Sequence, residues 1–92
     1  MTLKKDYDDL NTNGTVGDWY FSIGDDGQEY IGILLPTDLA ILPVCQPNQT
    51  RINANAWSWD GNKVAPTLVP SILHHSKPPW HGFLREGKLV SV

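Results

Sequence analysis

Eight glycines and seven prolines punctuate these 92 residues, and that spacing decides what the chain can build. Gly weakens a helix, and Pro removes a donor and clashes with the preceding turn. No stretch carries apolar residues at i, i+3, i+4 and i+7 through three turns. The best helical candidate is Pro36 to Leu42, with Thr37 or Asp38 as cap and Pro43 as stop. Strand signals are stronger. Asp18 to Ile23 is aromatic and β-branched, Gly24-Asp25-Asp26-Gly27 is a turn, and Glu29 to Leu35 follows as a second strand. Ile41 to Val44 reads as a short strand, and Pro43 predicts that it lies at an edge. If Arg51 to Trp59 is a strand, its alternation puts both Trp on one face with Arg51, Asn53 and Asn55. Thr67 to Leu73 is a strand broken by Pro70, and Gly82 to Leu84 and Lys88 to Ser91 form a second hairpin. The expected fold is therefore mainly β: a small antiparallel sheet or a two-sheet sandwich built from hairpins, with at most one short helix.

The length fits one domain, residues 1–92. Residues 1–12 are expected to be flexible, because they are charged and only Leu3, Tyr7 and Leu10 offer anchors. The 40% hydrophobic and 18% charged content is a globular balance. A lone Cys45 in an apolar stretch excludes an internal disulfide framework and reads as a buried thiol. No apolar run approaches the ~20 residues of a membrane helix, and the N-terminus has no signal-peptide core, so an intracellular location is expected.

Charge is divided along the chain. Residues 1–60 hold three cations against nine carboxylates, and residues 61–92 hold Lys63, Lys77, Arg85 and Lys88 against Glu86 alone. A net charge of −3 argues against a duplex nucleic acid partner. Residues 57–90, which overlap this basic part, hold three of the four Trp and all three His. Aromatic faces beside cations suit a planar anion. Trp57 and Trp59 are candidates to stack on a base, with filling of the core as the alternative. Lys63, Arg85 and Lys88 are candidates to neutralise phosphate, and Asn62, Thr67, Ser71 and His81 to donate or accept hydrogen bonds. His74, His75 and His81 with Cys45 leave a metal site open, but adjacent strand residues point to opposite faces, so no metal or cofactor is assigned. Ser71 with His74 or His81 and an Asp is a combination most proteins offer by chance. With no Gly-x-Ser-x-Gly, no Cys-x-x-Cys and no phosphate loop, the residues alone argue against an enzyme.

Three blocks carry a resemblance. They are Trp57 to Asn62, Pro66 to Ile72 and Trp80 to Lys88. Their pattern of Trp-x-Trp-Asp-Gly-Asn, Pro-Thr-x-x-Pro-Ser-Ile and Trp-His-Gly-Phe-Leu-Arg-x-Gly-Lys resembles a family of small uncharacterised phage proteins. The resemblance implies a phage or prophage gene product at work in the host cytoplasm. With the binding cluster, it leads to the expectation of a non-enzymatic inhibitor of host defence, a sponge for a small nucleotide-like signal. Alternatives are an acidic inhibitor that covers a host effector protein, in the manner of an anti-CRISPR, and a virion or assembly accessory. Exposed strand edges predict a homo-oligomer.

Overall fold

The computed structural model describes residues 6–92. It is mainly β, with two antiparallel-rich sheets and one short helix among the described residues. The helix α1 spans Tyr7–Asn13, and Asp6 caps it by accepting from the Asp9 N–H at 2.6 Å. Asp8 and Asp9 in its first turn suit the positive end of the helix dipole. Two of the anchors named from the sequence dock it. Leu10 is fully buried, and the Tyr7 hydroxyl meets the Ser22 hydroxyl at 2.5 Å. Burial pushes the Tyr7 phenol up from 10.0, partly offset by Ser22. The third anchor, Leu3, and the rest of residues 1–5 lie outside the described residues.

The first sheet has five strands in chain order: β1 Trp19–Ile23, β2 Glu29–Leu34, β3 Leu39–Cys45, β4 Trp57–Trp59 and β5 Leu68–Val69. The first hairpin is as expected, with Trp19 opposite Ile33 and Ile23 opposite Glu29. The helix expected over residues 36–42 is instead a bend at residues 36–38 followed by the start of β3. Ala40, Leu42 and Val44 are buried while Ile41 is exposed, a period of two that satisfies the partner strand β2. Nor is β3 an edge. It pairs with β2 on one side and parallel to β4 on the other, at Val44 and Cys45. On that second side Pro43 is unpaired, so a missing donor is tolerated inside the sheet. Residues 51–56 are turns rather than strand, stapled by the Arg51 guanidinium to the Ala56 carbonyl and, at 3.1 Å, to Ser58 Oγ.

The second sheet has three strands in chain order: β6 Ile72–His74, β7 Trp80–Arg85 and β8 Lys88–Ser91. The break at Pro70 is real, and it changes layers: β5 ends the first sheet and β6 begins the second. In the β7–β8 turn Glu86 and Gly87 both take positive φ, 49° and 75°. That is the geometry of a two-residue hairpin turn whose twist matches its strands. The turn is held from outside: Gly87 N–H donates to the Pro66 carbonyl and Glu86 N–H to Thr67 Oγ1, at 2.8 and 2.9 Å.

The inner faces of both sheets share one core, including Trp19, Ile31, Ile33, Leu42, Trp59, Leu68, Ile72, Trp80 and Leu84. Cys45 is a buried free thiol that donates weakly to the Gln46 and Gln49 carbonyls. Close packing leaves no room for a side chain at Gly82 without a shift of its neighbours. A Cβ there would sit 2.5 Å from both the Trp80 ring and the Val90 carbonyl. Gly82→Ala is expected to lower unfolding stability by roughly 1–3 kcal/mol through overpacking. A urea midpoint that falls at constant slope would show it. No helix among the described residues is long and apolar enough to cross a membrane.

Candidate active site

The pleat of the second sheet sorts its side chains. On β7, Trp80, Gly82 and Leu84 are buried, and His81, Phe83 and Arg85 stand on the opposite, outer face. On β6, Ile72 is buried and Leu73 is exposed, so Ser71 just before the strand shares the outer parity. Leu73 pairs with His81, and the register carried one step on sets Ser71 beside Phe83. Ser71 and His81 are therefore diagonal neighbours, within reach of a long side chain. They touch: His81 Nε2 lies 3.1 Å from Ser71 Oγ.

This pairing is specific. Ser58 accepts from Arg51, Ser22 meets Tyr7, and Ser76 donates to Thr37 and to the Pro78 carbonyl. Among the described residues only Ser71 has a histidine partner. His74 is three positions from Ser71 and points to the other face, where its Nε2 meets Asp38 Oδ1 at 2.7 Å. That pair is separate from Ser71. Nor do the described residues group three His, Cys, Asp or Glu side chains around a metal position.

The backbone of Ser71 is tied to the first sheet. The Trp57 indole N–H donates to the Ser71 carbonyl at 3.3 Å. Beside Ser71 lies a niche of about 110 Å³ lined by Thr67, Leu68, Val69, Pro70, Phe83 and Arg85. The Arg85 guanidinium rests 4.0 Å above the Phe83 ring.

The remaining sequence candidates have other duties. Trp59 is 1% exposed and stacks on Phe21 at 4.5 Å, so it is core and has no face open to a base. Trp57 is half-buried against the same core and its indole N–H also holds the Ser71 carbonyl, so core packing and a contact to Ser71 are not exclusive on the face the two Trp share. Asn62 Oδ1 accepts from the Val64 and Ala65 N–H groups, which fixes its own loop. The Lys63 carbonyl accepts from the Trp19 indole, and its ammonium sits 6.0 Å from the Phe21 ring. Thr67 Oγ1 is taken by the hairpin turn. Lys88 stands opposite Arg85. The nine residues thus do not converge on one base-and-phosphate pocket.

Residues 42–92 match a family described as bacterial ubiquitination-like system serine protease, BubE. The match spans more than half of the chain. The chain belongs to the BubE family. No curated protein and no solved structure matches it. The BubE match overturns the expected non-enzymatic role. A family of serine proteases points to an enzyme, and it replaces the reading of a phage inhibitor, a nucleotide sponge or an assembly accessory. The matched span includes both Ser71 and His81. The signal that could have found the pair is strand parity. It requires knowing that β6 and β7 are neighbours, and Pro78 and Pro79 in the loop between them hide that register from the sequence.

Proposed function

We propose that this BubE chain hydrolyses a polypeptide bond with Ser71 as nucleophile and His81 as general base. The observation that carries the reading is the 3.1 Å approach of His81 Nε2 to Ser71 Oγ on an accessible sheet face, inside the span that matches a serine protease family. A hydroxyl is a weak nucleophile until a neighbouring base takes its proton. Neutral His81 accepts that proton as Ser71 Oγ attacks the substrate carbonyl carbon. The imidazolium then gives the proton to the leaving nitrogen as the C–N bond breaks, which leaves an ester on Ser71. Water, deprotonated by the same imidazole, attacks the ester and regenerates the Ser71 hydroxyl. Trp57 acts through the main chain: its hold on the Ser71 carbonyl fixes where Oγ can point. The family's description supports a substrate within a ubiquitination-like system, namely a peptide or isopeptide bond involving a ubiquitin-like protein.

The test is covalent labelling. A fluorophosphonate probe reacts with base-activated serines. Incubation followed by peptide mapping is expected to place one adduct on Ser71, lost in Ser71→Ala and strongly slowed in His81→Ala. An adduct on Ser58, Ser76 or Ser91 instead, or none on a folded protein, would overturn the assignment.

A further inference from the structure

The dyad has a direction, and it divides the outer face into two halves. His81 must deliver its proton to the leaving nitrogen, so the leaving group lies on the His81 side of Ser71. The acyl half of the substrate lies on the other side. Along β7 that is the side of Phe83 and Arg85, because His81 pairs with Leu73 while Phe83 stands level with Ser71. The niche is on this acyl side. Its walls of Leu68, Val69, Pro70 and Phe83 are apolar, and its volume of about 110 Å³ falls short of the ~150 Å³ that holds a benzene ring. A short aliphatic side chain fits its size and chemistry.

Arg85 lines the niche. Stacking over Phe83 at 4.0 Å holds the guanidinium plane without using its N–H donors, and no acceptor among the described residues meets them. A planar fork that is already held in place loses little freedom when it captures a carboxylate, and the pairing is bidentate. Lys88 stands opposite Arg85 across the hairpin. Residues 61–92 contain one carboxylate, Glu86, against four cations, so the field over this half of the face favours an anion. We infer that Arg85 is a specificity-determining residue, one that grips an acidic side chain on the acyl side of the bond Ser71 attacks while the niche beside it takes a short aliphatic one. The inference rests on the Ser71–His81 reading.

Peptidyl diphenyl phosphonates test it, because they mimic the acyl half and mark Ser71 without needing turnover. A set of N-acetyl tetrapeptide analogues would carry Asp or Glu, the isosteric Asn or Gln, or Lys at each acyl-side position, with Ala or Val at the others. The rate of Ser71 modification is read by intact mass. At one position the acid is expected to react roughly tenfold to a hundredfold faster than its amide, the range of a charge-assisted hydrogen bond. Arg85→Glu, an exposed change whose fold is checked by circular dichroism, should reverse the preference toward Lys. Arg85→Lys should keep part of it. Equal rates for acid and amide, or a preference unchanged in Arg85→Glu, would overturn the inference. So would labelling by a plain fluorophosphonate with no labelling by any peptidyl analogue. If neither reagent marks Ser71, the dyad assignment itself fails.

Discussion

Ser71→Ala and His81→Ala are each expected to lower peptide-bond hydrolysis by at least about 10²-fold, and the double variant should be no worse than either single one. The magnitude follows from what a serine and an imidazole achieve together. In a complete triad, loss of the serine or histidine lowers kcat by about 10⁶, and loss of the acid alone by about 10⁴. The ratio, roughly 10², is what an unassisted pair supplies. Here the close contact is Nε2 to Oγ at 3.1 Å, and the one carboxylate–histidine pair among the described residues, Asp38–His74, faces the other way. Non-additivity is the sharper part of the prediction. Two residues that move one proton fail as a unit, whereas two independent binding residues would lose activity in proportion to both changes. Single-turnover rates for the two single variants and the double variant distinguish these outcomes. A double variant much slower than either single one would contradict a shared proton transfer.

Trp59→Ala is expected to lose about 3–5 kcal/mol of unfolding stability. A domain of this size has about 5–15 kcal/mol to lose. Trp59 is almost fully enclosed, stacks on Phe21 and donates its indole N–H to the Asn62 carbonyl at 3.2 Å. The substitution opens a cavity and leaves that carbonyl without its indole partner. Trp57→Phe makes a useful contrast in the same denaturation series. It keeps most of the packing and deletes one hydrogen bond, so the loss should be nearer 1 kcal/mol. Equal losses at the two positions would mean that Trp59 is not the central core residue its burial implies.

Much of the architecture was legible from turn chemistry. Gly24 to Gly27 and Glu86-Gly87 mark both hairpins, and Pro70 marks the break between β5 and β6. What escaped depends on tertiary partners. Residues 36–42 carry a cap-like Thr37-Asp38 and a stopping Pro43, but the chain there forms the second partner of β2, and ladder bonds prevail over a helix of one or two turns. The α1 helix was hidden for the opposite reason. Two apolar residues make no periodicity, and it is held by Leu10 and Tyr7 reaching the sheet rather than by propensity. At the site, Ser71, His81 and Arg85 are all candidates in the sequence, but for hydrogen bonding to and charge neutralisation of an anion rather than for proton transfer. Ten positions separate Ser71 from His81, and only the β6–β7 register brings them together. The aromatic cluster misled because Trp57 and Trp59, which do share a strand parity, face inward rather than toward a ligand.

Ser71 occupies the two-residue passage where the chain leaves one layer for the other, and its carbonyl is tied back to the layer it has left. Its partner His81 belongs wholly to the second layer. Their closeness is set by the β6–β7 register, and the Trp57 bond adds one tie from the first layer to the Ser71 main chain. Loosening that tie would change the aim of the Ser71 hydroxyl without breaking a ladder bond in either sheet.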